Sequence, residues 1–247
     1  MSASGVRARV RAEMTDEIKA VARRHLATDG ANLSLRAVAR DMGMASSAVY
    51  RYFASRDELL TAMIIDAYNS LGEAAEQAAQ GAAGKATGKE AGKEAAEQNG
   101  KTELDRFLAA THAVREWALA DPHQWALIYG SPVPGYQAPQ DTIGPATRVI
   151  LLIADIVKSA YDSGRIAERP PITGQFAEEL RVVADNYAAG TPPRAVAAAL
   201  SAFLHLSGAV SSELFGQLNK SVEEDRRGFF EFQMRGAAFL IGLTDNL

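Results

Sequence analysis

Residues 34–53 read SLRAVARDMGMASSAVYRYF, and this stretch decides the fold. Its first half repeats apolar residues at helical spacing, which predicts a short helix that ends near Met42, with Ser34 placed as its N-cap. Gly43 follows where the chain must turn, because glycine readily adopts the positive φ that ends a helix. The second half predicts another short helix over residues 45–52. The pattern is that of a helix-turn-helix, whose second helix enters the major groove of DNA.

The outward face of the second helix carries small residues, hydroxyls, phenols and one guanidinium. Small residues allow close approach to base edges, hydroxyls donate to phosphate or base acceptors, and arginine pairs bidentately with guanine. Ser34 and Arg36, on the preceding helix, are candidates for contacts with phosphate, with a solvated side chain as the alternative for Arg36. At least one tyrosine is expected to pack against neighbouring helices instead. The candidate DNA-binding residues in this stretch are Ser34, Arg36, Ala45, Ser46, Ser47, Tyr50, Arg51 and Tyr52.

In almost all of the remaining chain, apolar residues recur at the spacing that is typical of helices. No alternating run of β-branched residues is long enough to predict a strand. Ser55 and Glu58 form a capping box that predicts a long helix to about residue 80. Residues 81–100 are low-complexity sequence with repeated Gly-Lys pairs, which predicts a solvated linker or a frayed extension of that helix. The predicted fold is therefore all-α: a three-helix head over residues 1–54 and a larger helical body over residues 55–247. Further helices are predicted at about 103–119, 122–129, 145–163, 176–187, 194–218 and 223–243.

The 247 residues include 26 Lys and Arg, 30 Asp and Glu, four His and no Cys, for a net charge of −4. Without Cys there are no disulfides, thiol nucleophiles or cysteine-rich zinc sites, so an intracellular, cytoplasmic protein is expected. No apolar run approaches the roughly 20 residues that span a bilayer, and no export signal follows the first arginines. The charge is uneven, since residues 1–60 hold ten basic and seven acidic side chains. A basic head on an acidic body is compatible with a nucleic-acid partner.

Motifs of common enzymes are absent from the sequence, which has no G-x-S-x-G elbow, phosphate loop or H-E-x-x-H. Ser131 has no base placed nearby in sequence. His112 and His123 are separated along the chain and have no Cys to complete a metal site. We therefore expect no enzyme, no cofactor and no metal.

The head resembles the DNA-binding domain of the TetR, or tetracycline-repressor, family of transcriptional regulators. Arg56 lies where the family usually has a Lys that touches phosphate, so the resemblance adds it to the DNA-binding candidates. Residues 125–148, WALIYGSPVPGYQAPQDTIGPATR, and His205 with Glu213–Gly216 resemble the WHG-type C-terminal regulatory domain of some members. Residues 81–100 have no counterpart in that pattern and are interpreted as an insertion. The matching positions of the head are Ala39, Asp41–Met44, Ser46, Val49–Phe53 and Arg56–Leu60.

The resemblance implies a homodimer that is joined by its last two helices and offers one reading helix to each half of a near-palindromic operator. The sequence agrees, because the apolar stripes along both predicted helices exceed what the surface of a monomer tolerates. The alternative is that both helices are wholly internal. The candidate dimer-interface residues are Phe203, Val210, Leu214, Leu218, Phe232 and Phe239.

The resemblance also implies a ligand-responsive regulator, most simply a repressor that a small-molecule effector releases from its operator. The effector would shift the helix over residues 55–80 and thereby change the spacing of the two heads. The competing hypothesis is a DNA-tethered protein whose body binds a protein partner. Aromatic side chains and two histidines of the body are candidates to line a pocket, with core packing as the alternative for each. They are Phe107, His112, Trp117, Trp125, Tyr129, Tyr161, Phe203 and His205.

Overall fold

The computed structural model describes residues 3–29, 33–86, 94–164, 166 and 170–243. These residues form ten α-helices and one 3-10 turn, Gln140–Thr142, and no strand occurs among them, which confirms the all-α class. The helices are α1 (Ala3–Asp29), α2 (Leu35–Asp41), α3 (Ser46–Val49), α4 (Arg56–Ala86), α5 (Glu94–Ala120), α6 (Pro122–Tyr129), α7 (Ile143–Asp162), α8 (Gly174–Tyr187), α9 (Pro193–Leu214) and α10 (Arg226–Ile241).

The chain divides into two compact units that differ from the division predicted from the sequence. The first unit takes Met1–Tyr68 together with Asp121–Pro145, and the second takes Asn69–Ala120 together with Ala146–Leu247. The first unit is thus larger than residues 1–54, because the start of α4, all of α6 and the loop after α6 belong to it.

The core of the first unit forms where α1, α2, α3 and the beginning of α4 meet. Ile18 of α1, Val38 of α2, Val49 of α3 and Leu59 of α4 are fully buried. Burying each of these side chains stabilises the fold by about 1.5–3 kcal/mol, so the four helices hold one another in place. Partly buried side chains from α6 and the loop after it pack against the same cluster: Leu127, Val133 and Tyr136.

The predicted capping box at the start of α4 is present. The Ser55 hydroxyl accepts a hydrogen bond from the Glu58 N–H at 3.1 Å, and the Glu58 carboxylate accepts one from the Ala54 N–H at 2.5 Å. The first bond satisfies a backbone donor that the first turn of a helix leaves without a partner, and the second holds the residue before the N-cap against the helix. Helix α4 therefore begins at Arg56, as the sequence predicts, although it continues past residue 80 to Ala86.

Much of the low-complexity stretch is helical. Residues 81–86 form the end of α4, and residues 94–100 form the beginning of α5. Helix α5 thus begins before the predicted start near residue 103. Residues 87–93 lie outside the described part of the chain.

The second unit is built around α9, which packs against α8, α10 and α5. By length and composition, α9 would be able to cross a membrane, a test that the core helix of a soluble protein also passes. One face of α9 is buried within the unit, and this face carries the charged Glu213, a residue type that membrane-spanning helices rarely contain. We therefore interpret α9 as a core helix. The largest fully buried side chains of this unit are Leu71, Phe107, Ile153, Ile156, Leu206, Phe230 and Met234.

The ends of α9 and α10 differ from the prediction for physical reasons. Helix α9 ends at Leu214 rather than near Leu218, because Gly216 takes a positive φ of 79° just beyond it. Helix α10 begins at Arg226, where the Asp225 carboxylate accepts a hydrogen bond from the Gly228 N–H at 2.7 Å. Leu218 therefore lies in the connection between the two helices.

Candidate functional site

The turn between α2 and α3 has the geometry of a glycine-terminated helix. Gly43 has a φ of 65°, and its N–H donates to the Arg40 carbonyl at 3.0 Å. The Met44 N–H donates to the Ala39 carbonyl at 2.9 Å. This pair of bonds is the Schellman motif, which satisfies the last carbonyls of a helix. The predicted glycine turn is confirmed, and it fixes the direction in which the chain enters α3.

Helix α3 is shorter than the predicted segment 45–52, because only Ser46–Val49 are α-helical and the next residues form a turn. The Phe53 N–H donates to the Val49 carbonyl at 3.1 Å, so the backbone stays tightly wound up to Phe53. Phe53 is 4% exposed and closes the core, which ends the helical run. The opposite side of this element is open to solvent. Its exposed residues are Ala45, Ser46, Ser47, Tyr50 and Arg51.

The two tyrosines of this element separate into different environments. Tyr50 is 46% exposed, whereas Tyr52 is half-buried and packs against the core of the first unit. The Arg11 guanidinium of α1 lies 5.2 Å from the centre of the Tyr52 ring, which is cation–π geometry. The sequence predicted that at least one tyrosine would pack internally, and Tyr52 is that residue.

Arg11 is a residue that the sequence did not single out as fixing this element. Its Nη2 donates to the Arg51 carbonyl at 3.0 Å, across 40 positions of the chain. The bond and the stacking on Tyr52 tie α1 to the turn that follows α3. Nothing in the local spacing around Arg11 indicates these partners, because they belong to a distant part of the sequence.

The residues predicted to contact phosphate differ in how far other parts of the unit hold their side chains. Ser34 occupies the N-cap position of α2, and its carbonyl accepts from the Val38 N–H at 3.0 Å. Its hydroxyl makes no capping bond, so the predicted side-chain cap is wrong and the hydroxyl is left exposed. Arg36 is exposed. Arg56 is half-buried, and its Nε donates to the Leu33 carbonyl at 3.2 Å, so part of its guanidinium holds the chain before α2.

Two of the predicted pocket residues belong to the first unit. Trp125 is 1% exposed and lies 4.4 Å, centroid to centroid, from Tyr129. Tyr129 meets Tyr68 edge-to-face at 5.8 Å, and burial raises the pKa of the Tyr129 phenol. The Tyr136 hydroxyl shares a hydrogen bond of 2.9 Å with the Thr61 hydroxyl. These contacts explain why residues 121–145 join the helix-turn-helix unit.

The remaining pocket candidates lie in the second unit, where their surroundings differ. Phe107 is fully buried in the core. The Trp117 indole N–H donates to the Ser70 hydroxyl at 2.9 Å, and His112 pairs with the Glu231 carboxylate. Tyr161 borders a cleft of this unit. The half-buried members are His112, Trp117, Phe203 and His205.

The predicted dimer-interface residues differ in accessibility. Phe232 and Phe239 of α10 are 73% and 60% exposed, and Leu204 of α9, outside the predicted set, is 66% exposed. Val210 is 1% exposed within its own subunit, so its assignment to an interface is wrong, because that face of α9 packs inward. The half-buried candidates are Phe203, Leu214 and Leu218.

Among the residues that the structure describes, no set of three or more His, Cys, Asp or Glu side chains is arranged to hold a metal ion.

Comparison with known families places both parts of the chain. Residues 18–63 match the model of bacterial regulatory proteins of the tetR family. Residues 107–237, more than half of the chain, match the model of the tetracyclin repressor-like C-terminal domain. The two matches include the helix-turn-helix and most of the second unit.

Individual relatives agree with these matches. The chain is 35% identical over 234 residues to the HTH-type transcriptional regulators Mb1846 of Mycobacterium bovis and Rv1816 of Mycobacterium tuberculosis, across 94% of this chain and 93% of each relative. A solved structure, the regulatory protein SCO4313, has a TM-score of 0.71 and 33% identity, covering 93% of this chain and 97% of that chain. A Rhodococcus sp. RHA1 protein of unknown function shares the fold, with a TM-score of 0.60, 24% identity and coverage of 90% and 94%. The chain therefore belongs to the TetR family of helix-turn-helix, DNA-binding transcriptional regulators.

Proposed function

We propose that the protein acts as a homodimer that binds a near-palindromic operator through α3 and its following turn, one from each subunit. The observation that carries this proposal is the two-sided character of that element. Val49 is fully buried, while Ser46, Ser47, Tyr50 and Arg51 on the other side are exposed. Because the buried side is fixed by packing, the exposed side is presented in one orientation to base edges and phosphates.

The same proposal assigns self-association to the exposed apolar face of α9 and α10. Leu204, Phe232 and Phe239 are 60–73% exposed, and clustered apolar surface of this kind marks interfaces. Gly208 and Gly236 are exposed, and a Cβ added at either would meet no atom within 4 Å. Small residues at these positions allow a second backbone to approach closely. A two-fold arrangement would use the same face from both subunits.

The DNA-binding part is tested by selecting an operator from random duplexes and titrating variants against it. Tyr50→Ala and Arg51→Ala should each weaken operator binding at least about tenfold, because a good base contact is worth ~1–3 kcal/mol. Tyr187→Ala is a matched control, since Tyr187 is 49% exposed on α8 and Tyr50 is 46% exposed. Arg181→Ala, also on α8, controls for the loss of one positive charge. Unchanged operator affinity in both α3 variants would refute the assignment of this element.

Dimerisation is tested by sedimentation of charge-bearing variants. Phe232→Glu and Phe239→Glu should shift the protein toward monomer, because a buried carboxylate without a partner is costly at an apolar interface. Val182→Glu on α8 replaces another apolar side chain, 59% exposed, and should leave the dimer intact. A dimer that survives the α10 changes and dissociates with Val182→Glu would place the interface on α8 instead.

Repression that is relieved by a small effector is the regulatory part of the proposal. Its support is the family of the chain, whose C-terminal domain model matches most of the second unit. An effector needs only a different affinity for the DNA-bound and free forms of the protein. The proposal assigns no catalytic step, and it places the protein in the cytoplasm with its DNA.

One observation favours the competing function, in which the second unit binds a protein partner. Helix α8 exposes Phe176, Val182 and Tyr187 to 49–59%, an apolar surface separate from that of α9 and α10. Under this alternative, Phe176→Ser with Val182→Ser would abolish regulation of a reporter gene in cells. Operator affinity and dimer mass would be unchanged in the same variant. Normal regulation by that variant would remove the support for the alternative.

A further inference from the structure

The second unit holds a half-open cleft of about 340 Å³ at one end of α7, α9 and α10. This is at the lower end of the range for small-molecule sites, which is ~300–1,000 Å³. Its walls come from the C-terminal part of α7, the segment before α8, the first turns of α9 and the last turn of α10. Its lining includes Val157, Ile172, Arg194, Ala198 and Leu240.

Most of the lining is aliphatic. Val157 is fully buried at the base of the cleft, and Leu240 is 63% exposed at its rim. The Ser201 hydroxyl also borders the cleft, but its proton is donated to the Ala197 carbonyl at 2.8 Å. Such a surface favours a hydrocarbon body over a polar one.

Among the described residues that line the cleft, Arg194 is the charged one. Its Nη1 donates to the Pro170 carbonyl at 2.8 Å, which holds the guanidinium at the mouth of the cleft. Among the described residues no carboxylate pairs with it, whereas Arg106, Arg115, Arg148 and Arg181 of the same unit each have a carboxylate partner.

The position of Arg194 on its helix also favours an anionic partner. It lies in the first turn of α9, where the helix dipole disfavours a cation and favours an anion. Because no carboxylate among the described residues pairs with it, the guanidinium retains N–H donors for an anionic group. Arginine binds carboxylates in a planar, bidentate geometry. The described lining of the cleft thus combines aliphatic side chains with one arginine that has no carboxylate partner among the described residues.

We propose that this cleft binds a small carboxylate with an aliphatic body. The carboxylate lies on Arg194, and the hydrocarbon lies along Val157, Ile172 and Leu240. The claim that such a molecule is the effector rests on the proposed function. The claim that the cleft binds it rests on the cleft alone.

The test is calorimetric titration of the full-length protein, without DNA, by octanoate and by 1-octanol as the neutral molecule of equal chain length. Octanoate should bind at least about tenfold more tightly than 1-octanol, because a charge-assisted hydrogen bond is lost with the alcohol. Arg194→Met keeps most of the aliphatic stem, so it should remove this preference. Ala198→Phe fills the cleft and should weaken binding of both molecules.

Arg181→Met is the matched control, since it removes the same charge from α8 and should bind octanoate as the wild type does. Arg194 is only half-buried, so its replacement is expected to leave the fold intact, which circular dichroism and the unfolding temperature verify. Equal binding of octanoate and 1-octanol to the wild type would overturn the proposal. Retention of the octanoate preference by Arg194→Met would also overturn it.

A separate operator titration, with and without octanoate, distinguishes this proposal from the proposed function. Octanoate that binds through Arg194 and leaves operator affinity unchanged would uphold the cleft and contradict its role as an effector site. Octanoate that fails to bind a protein with normal operator affinity would overturn the cleft and leave DNA recognition standing.

Discussion

The ion pair between Arg115 of α5 and Glu213 of α9 should dominate the polar energetics of the second unit. The Arg115 Nε and Nη2 donate to the two Glu213 carboxylate oxygens at 2.7 and 2.6 Å. The two residues are 8% and 6% exposed, and the guanidinium also lies 5.6 Å from the centre of the Phe230 ring. We expect Arg115→Met to leave the Glu213 carboxylate buried without its cation.

The magnitude follows from the geometry. Two charge-assisted hydrogen bonds of ~1.5–3 kcal/mol each are lost, and removing one partner of a buried ion pair costs ~3–5 kcal/mol. The variant should therefore lose about 3–5 kcal/mol of unfolding free energy. The combination Arg115→Met with Glu213→Leu should recover most of that loss, because replacing both partners of a buried pair by apolar residues is often neutral or stabilising. Such a recovery would show that the loss in Arg115→Met comes from the unpaired Glu213 carboxylate and not from a distorted α9 backbone.

The assay is urea unfolding followed by circular dichroism at one fixed protein concentration, since dimerisation would make stability concentration-dependent. Arg106→Met is the matched control: Arg106 pairs with Asp155 at 3.0 Å, but the Asp155 side chain is 68% exposed. An exposed pair is worth ~0–1 kcal/mol, so the control should lose little. A loss below about 1 kcal/mol for Arg115→Met, or a double variant less stable than either single variant, would refute the reasoning.

Three further predictions concern the first unit. Arg11→Gln should weaken operator binding several-fold more than Arg9→Gln in a gel-shift titration, because only Arg11 holds the Arg51 carbonyl and the Tyr52 ring; equal effects would mean that charge alone matters. Gly43→Ala should lower the free energy of unfolding, measured by thermal denaturation, by about 1–2 kcal/mol, because Gly43 has a φ of 65°. The control Gly81→Ala, in an exposed part of α4, should instead raise it by ~0.5–1 kcal/mol. A stabilised Gly43→Ala variant and a destabilised Gly81→Ala variant would contradict the backbone argument. Arg36→Ala should reduce affinity alike for operator and random DNA and lower the salt slope of a dimer by about two, while a change in sequence preference would show that Arg36 reads bases.

The features that the sequence predicted correctly are those that depend on neighbouring residues. Gly43 ends α2 because a positive φ is a local requirement, and Ser55 with Glu58 starts α4 because both partners lie within one turn. The alternation of buried and exposed positions around Val49 follows from helical periodicity. The glycine turn and this alternation formed the basis for predicting a helix-turn-helix.

The features that the sequence did not predict depend on contacts between distant residues. Helix α3 ends at Val49, and the turn after it is held by Tyr52, which packs into the core, and by Arg11, which lies 40 positions before its partner Arg51. Periodicity assigned Val210 to an apolar stripe of α9, but it does not say which side of an apolar helix faces its own core. Arg194 and its cleft are formed by four separate elements, so no local motif marks them.

The segment formed by residues 121–145 has a consequence for how the DNA-binding unit is made and exchanged. Val133 and Tyr136 cover the core of that unit, and Tyr136 bonds to Thr61 from 75 positions further along the chain. During synthesis, the first four helices therefore emerge well before the side chains that complete their core, and the unit closes only after residue 145 has left the ribosome. A chimera that transplants residues 1–68 into a relative would carry an unfinished core, so a clean exchange must transplant residues 121–145 with them.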